Sequence, residues 1–237
     1  MLIEICVNCW NYQHRLNWMM SSIATQEGDL PDILFNISYV PENGNPKTED
    51  VLDFFEKEAG IKVKRTILKD QKEASCRGYI RQKQLEETQA DWILFADCDM
   101  AYSKYFFSKL KERLEGDLKD CDKLIAARRI SLGIKYCTDY FNENPVKKPF
   151  IVKDISDILS SWPVFRISGD GGPGNFQLAR VKYCKDNGIR YTHCCRDLWR
   201  GTRSDRHFRV NMGGILPIKT EPMYHLNHDR GGPDIQR

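Results

Sequence analysis

No apolar run in this sequence approaches the ~18 residues a membrane-spanning helix requires, so no such helix is expected. Neither sign of charge dominates. Lys and Arg total 36 against 33 Asp and Glu, and a net charge of +3 is too slight to make nucleic acid the main partner. Any phosphate binding must then be local. Internal repeats, low-complexity tracts and a basic leader with a cleavage site are all missing. The stretch from Met1 to Val7 already reads as a strand, and the expected location is cytoplasmic. The cysteines number nine in 237 residues, an odd count spread over expected strands and helices, which points to reduced thiols in a cytosol rather than a disulfide framework. Cys6-x-x-Cys9 with His193-Cys194-Cys195 is a poor zinc pattern. A structural zinc site wants two separated ligand pairs, and adjacent Cys194 and Cys195 point different ways on any regular element. Buried small hydrophobes are the better reading.

With 41% hydrophobic residues the chain has ample material for a core, in one large domain or two small ones. Apolar runs alternate with polar helical stretches, which argues for a mostly parallel sheet. Ile3 to Val7 reads as a strand, followed by a helix carrying Leu16, Met19, Met20 and Ile23. A second strand, Ile33 to Val40, turns at the breaker-rich run from Pro41 to Pro46. Thr48 is expected to cap a helix bearing Val51, Leu52, Phe54 and Phe55. Ile61 to Leu68 reads as a third strand, and Ala74 to Gln89 as one long polar helix leading into Trp92-Ile93-Leu94-Phe95-Ala96. Beyond Met100 come an expected helix from Ser103 to Leu114, a short strand from Lys123 to Ala127, and an irregular region from Leu132 to Trp162. A glycine-rich loop from Ser168 to Gln177 then precedes an expected helix from Leu178 to Asn187.

The apolar fourth strand ends in Asp97-Cys98-Asp99. Two carboxylates one residue apart at the carboxyl end of a buried strand lie where open α/β folds bind ligands. They form a sufficient core for a Mg²⁺ or Mn²⁺ ion, which takes one or two protein carboxylates and leaves other positions to phosphate and water. On the preceding helix Arg77 and Arg81 lie one turn apart on one face, and the planar guanidinium suits phosphate. Downstream stand Ser204-Asp205-Arg206-His207-Phe208-Arg209 and, near the C-terminus, His225-x-x-His228. Three residues apart, the two imidazoles would share a helix face but oppose each other on a strand, where only one could coordinate. Imidazole nitrogen would favour Mn²⁺ over Mg²⁺.

Taken in order, these elements resemble the family 2 glycosyltransferases of GT-A fold, over most of the chain. The resemblance implies a single α/β GT-A (nucleotide-diphospho-sugar transferase) domain over 1–237, with a mostly parallel twisted sheet flanked by helices. Residues 1–101 would form the nucleotide-sugar half, and 102–237 the acceptor half with a C-terminal metal-site tail. It implies a metal-dependent, inverting hexosyl transfer from a nucleotide-diphosphate sugar, usually UDP-linked, to an acceptor hydroxyl. Asp97 and Asp99 would hold Mn²⁺ or Mg²⁺ against the diphosphate, with His225 or His228 completing the shell. Asn8, Asn11 and Glu42 would line the base pocket, although Pro41-Glu42-Asn43-Gly44-Asn45 stands where the family commonly shows an Asp-Gly-Ser-like turn. Arg77 or Arg81 would meet the diphosphate, Arg81 having the better spacing. Gly174 and Asn175 would enter a helix below the acceptor. Asp205 would be the general base, with Asp197 as the alternative, since Ser204 stands where the family has Glu. The expected partners are a nucleotide sugar and a glycan or other hydroxyl acceptor, not nucleic acid; a lipid-linked acceptor would bring peripheral membrane contact.

Two other readings stand beside this one. A module could bind a nucleotide sugar or glycan without turnover. A nucleotidyltransferase would share the α/β plan, but Asn8-Cys9-Trp10-Asn11-Tyr12 has none of the glycine-rich, basic character expected after its first strand.

Overall fold

Strands with both faces covered read as largely apolar runs, and the first, second and fourth strands of the chain do so, whereas the third, at the sheet edge, alternates basic and apolar residues. In a computed structural model that describes residues 1–41, 46–168, 176–191 and 204–228, these are β1 (Leu2–Cys9), β2 (Asp32–Tyr39), β3 (Lys62–Ile67) and β4 (Trp92–Asp97). They pair in parallel in the order β3-β2-β1-β4. The helices between them are α1 (Gln13–Ala24), α2 (Thr48–Ala59), the short α3 (Gln71–Ser75) and α4 (Arg77–Glu87).

The sheet continues through β5 (Met100–Tyr102), β6 (Leu124–Leu132), β7 (Val164–Ser168), β8 (Phe176–Arg180) and β9 (Ile215–His225). Its order is β3-β2-β1-β4-β8-β6-β9-β5, with β7 on β6, so one nine-stranded sheet crosses both halves of the chain. β8 runs antiparallel to β4 and to β6, β9 runs parallel to β6, and β5 and β7 are antiparallel to their partners. Six strands, β1 to β4 with β6 and β9, therefore point one way: the mostly parallel α/β sheet expected from the sequence. The remaining helices are α5 (Phe106–Glu115), α6 (Ile134–Glu143), α7 (Ile155–Ser160), α8 (Val181–Asp186) and α9 (Ser204–Asn211).

Period-two alternation sorts the core. Ile3, Ile5, Val7 and Cys9 of β1 and Trp92, Leu94 and Ala96 of β4 pack toward α1, α2 and α5. Cys6, Ile93 and Phe95 face the other way, against Leu85, Cys184, Phe208 and Met212 of α4, α8 and α9. A third cluster, with Trp18, Phe141, Leu159, Trp162 and Tyr224, lies under α6 and α7, so Trp162 is core. Glu4 sits among the apolar residues because its carboxylate accepts bonds from Asn36 (2.5 Å) and Thr88 (2.5 Å).

Several expectations are corrected. The long helix from Ala74 to Gln89 is broken at Cys76, and Asp70 caps the shorter first piece through the Glu73 amide at 2.9 Å. Thr48 is the first helical residue of α2 rather than its cap, and Asp50 accepts the Lys47 amide at 2.8 Å. Phe176 to Arg180 forms a buried strand along β4 where the end of a loop and, from Leu178, the start of a helix were expected. The region from Leu132 to Trp162 contains α6 and α7. The expectation of reduced thiols fails at Cys76, which is disulfide-bonded; Cys6, Cys9, Cys98, Cys121, Cys137 and Cys184 are free thiols. Among the described residues no helix is long and apolar enough to cross a membrane.

Candidate active site

Helices that return antiparallel to a parallel sheet begin at its C-terminal edge, so the first turns of α1 and α4 stand over the ends of β1 and β4. Asn8 of β1 pairs with Asp97 of β4 at this edge, and the Asn8 Nδ2 is buried without a hydrogen-bond partner among the described residues. Asn11, in the turn into α1, has φ of 55°, a left-handed conformation that Asn tolerates better than most residues. Arg77 Nη1 lies 3.5 Å and Arg81 Nη2 3.4 Å from Asp97 Oδ1. Arg81 Nη1 also reaches Asp205 Oδ1 at 2.5 Å. Spacing singles out Arg81 for outward contact with a diphosphate, but its side chain is only 3% exposed, against 36% for Arg77. Arg81 is flanked by the rings of Phe95 and Tyr191 and bridges two carboxylates from within. Burial opposes its charge, yet Asp205, Tyr191 and Asp97 together hold it above the ordinary arginine value.

Asp205 stands in the first turn of α9. Aromatic packing fixes that helix: Phe208 stacks on Tyr191 with centroids 4.2 Å apart and meets Phe95 edge-on at 5.8 Å. The Tyr191 hydroxyl donates to Gln177 Oε1, and Gln177 Nε2 donates to the Asp205 carbonyl at 3.4 Å. Asp205 Oδ2 has no donor among the described residues.

Asp99 is 5% exposed, and its Oδ2 meets His225 Nε2 at 3.1 Å and His228 Nε2 at 3.4 Å. Both imidazoles reach one oxygen because His225 ends β9 and the chain leaves the strand there, so strand alternation no longer separates them. Asp99 Oδ1 is buried without a hydrogen-bond partner among the described residues. His225 pairs in register with Met100, Leu226 N bonds to the Asp99 carbonyl at 2.8 Å, and the Tyr12 hydroxyl lies 3.2 Å from His228 Nε2. The buried Arg15 spans the segment between the histidines, its Nε 3.0 Å from the Leu226 carbonyl and Nη2 3.4 Å from that of Asn227. The two carboxylates differ in character. Burial, with Asp99 and Asp205 nearby, outweighs Arg77 and Arg81 and raises Asp97 above the usual carboxylate value. Asp99 is held well below it, burial being overcome by His225 and His228.

Glu42, Gly174, Asn175, His193, Cys194, Cys195, Asp197 and Trp199 lie outside the described residues. Among the described residues no group of three or more His, Cys, Asp or Glu is placed so that it could by itself hold a metal ion. Cys6 and Cys9 face opposite sides of the sheet. Sequence reasoning missed Tyr12 and Arg15, which hold the histidine segment, and Arg129 and Arg166 on β6 and β7; an aromatic and a cation in the first turn after β1 were the available signal for the first pair. A cavity of about 650 Å³ at the far end of α1, lined by Glu27, Lys104, Tyr105 and Asp154 among others, contains none of the expected site residues.

No protein-family model and no curated protein sequence matches the chain. Among solved structures it is similar to S. aureus TarS, with a TM-score of 0.61 at 14% identity over 94% of this chain and 36% of that one. Residues 1–349 of TarS in complex with UDP give a TM-score of 0.59 at 13% identity, over 94% of this chain and 60% of that one. The UDP-GlcNAc complex gives 0.61 at 14% identity, over 98% and 60%. The chain thus spans about a third of TarS. The likeness shows the fold, the GT-A α/β plan implied by the sequence.

Proposed function

We propose that this chain is a GT-A glycosyltransferase of the family 2 kind, moving a sugar from a nucleotide-diphosphate donor, in the first place UDP-linked, to an acceptor hydroxyl. The observation that carries this reading is the convergence of Asp97, Asp99, Arg77, Asp205, His225 and His228 on one sheet edge. The donor class follows from TarS, which holds UDP and UDP-GlcNAc on the same fold. Residues 1–101 would supply most of the donor site and 102–237 the acceptor site.

Asp99, His225 and His228 would hold a Mn²⁺ or Mg²⁺ ion, with Asp97 beside them. The fit rests on the buried, unpartnered Asp99 Oδ1 and on two imidazoles gathered at Oδ2, a mixed nitrogen and oxygen set that suits Mn²⁺. Such an ion supplies charge neutralisation for a leaving diphosphate. Arg77, at the surface, gives the same phosphates a planar donor fork. Arg81 fixes Oδ1 of Asp205, leaving Oδ2 to take the proton of the attacking acceptor hydroxyl. Attack from the side opposite the diphosphate would invert the anomeric centre.

The test is thermal unfolding with a panel of nucleotide sugars, with and without Mn²⁺, followed by assay of nucleoside diphosphate release on adding acceptor. Mn²⁺-dependent stabilisation and acceptor-dependent release support the reading; no stabilisation by any nucleotide sugar sinks it. A binding module without turnover draws support from one observation, the engagement of Asp205 by Arg81. Stabilisation without release would select it.

A further inference from the structure

Several arginines of this fold answer a carboxylate. Arg65 meets Asp53, Arg81 meets Asp205, Arg113 meets Asp117 and Arg180 meets Asp122. Arg129 and Arg166 do not: among the described residues no carboxylate lies within ion-pair distance of either. The β6–β7 register sets Arg129 opposite Ser168 and Ser131 opposite Arg166, so the two arginines are diagonal neighbours on one face, within reach of long side chains. On its other side β6 sets Ser131 beside His225, so this is the face that carries the histidine. Arg129 is half-buried, and its Nε and the Ser168 hydroxyl opposite are both buried without a hydrogen-bond partner among the described residues. Two like charges side by side, with desolvated donors left unmade, are a costly arrangement that an anion would relieve. Burial lowers Arg129 below the ordinary arginine value, with Arg166 adding to the effect and Asp99 opposing it.

We propose that Arg129, Arg166 and Ser168 form a binding site for an anionic group of the acceptor, in the first place a phosphate ester. The word acceptor rests on the glycosyl-transfer reading; the anion site does not. Placement favours the acceptor over the donor, because β6 lies two strands beyond β4, on the side away from β1 and Arg77. Paired guanidiniums match the oxygens of a phosphate.

The experiment titrates the full chain by calorimetry with inorganic phosphate in the absence of metal and, separately, with UDP in the presence of Mn²⁺. The proteins are wild type, Arg166→Gln and the double variant Arg129→Gln/Arg166→Gln. Phosphate affinity is expected to fall about tenfold or more in the double variant and several-fold in Arg166→Gln. UDP affinity is expected to stay within about twofold, as it does for independent sites. Arg166 is exposed, so its single variant reads the site even if the double variant fails to fold. Absent phosphate binding in wild type, or binding unchanged in both variants, overturns the site. A parallel fall in UDP affinity, with phosphate competing against UDP, overturns its assignment to the acceptor and gives the arginines to the donor diphosphate. Failure of wild type to bind UDP counts against the glycosyl-transfer reading alone.

Discussion

Arg81 of α4 and Asp205 of α9 stand 124 residues apart in the chain and 2.5 Å apart in the fold. This contact joins the helix next to the Asp97 strand to the helix bearing the candidate base. Because Arg81 also reaches Asp97, one buried guanidinium sets the spacing of two carboxylates that would act on different parts of a substrate.

Replacing Arg81 with Met should therefore cost more than its own bonds. It leaves Asp97 and Asp205 facing each other with no shared counter-charge, and breaking such a buried pair from one side costs about 3–5 kcal/mol. Urea unfolding monitored by circular dichroism measures this. A loss below about 1 kcal/mol would mean that the bridge is not formed.

Phe208 holds α9 by packing rather than charge. Phe208→Ala removes a fully buried ring stacked on Tyr191, at an expected cost of about 3–5 kcal/mol. Because Asp205 rides on the same helix, any nucleoside diphosphate release should fall further than the folded fraction does.

Asp99 gives a pH signature. A carboxylate held below its unfolded value contributes stability that is full above that value, about 3.9, and is lost as pH falls through the folded one. The thermal stability of wild type relative to Asp99→Asn should be greatest at about pH 5 to 6 and shrink progressively below about pH 4. Parallel curves down to acid pH would show that the histidines do not stabilise the ionised carboxylate.

Arg15 offers a test of the cation assignment that does not depend on turnover. Arg15→Lys loses the planar fork spanning the Leu226 and Asn227 carbonyls. Mn²⁺ affinity, read by electron paramagnetic resonance, should drop about tenfold, the scale typical when support behind a ligand is lost. Unchanged affinity would separate the histidine segment from any metal.

The N-terminal half was legible because β1, β2 and β4 are largely apolar runs separated by helices with clear periodicity. The break at Cys76 was not, since Ala74 to Gln89 keeps helical composition across it and only local backbone geometry interrupts it. β8 was read as the end of a loop and the start of a helix because all five residues from Phe176 to Arg180 are at least half-buried, which erases alternation, and α8 follows at once. β9 went unseen because Pro217 and Pro222 argue against a strand; Pro217 stays in register opposite Ala126, and Pro222 falls in the register shift between Ile218 and Met223. That same strand delivers His225, so a residue picked out by its spacing sits on an element the spacing did not show. The Arg129–Arg166 pair was hidden in a similar way. It exists only because β6 runs on past Ala127 and is joined by β7.

His225 sits opposite Met100, the residue immediately after Asp99, so the separation of carboxylate and imidazole is set by sheet pairing. A cation captured there would find these two donors immobilised in advance, and the step Leu226-Asn227 that delivers His228 is itself held by Arg15 and the Asp99 carbonyl, so little ordering entropy would remain to be lost on capture. Grip on the ion could then be tuned at those two positions without altering a single donor atom.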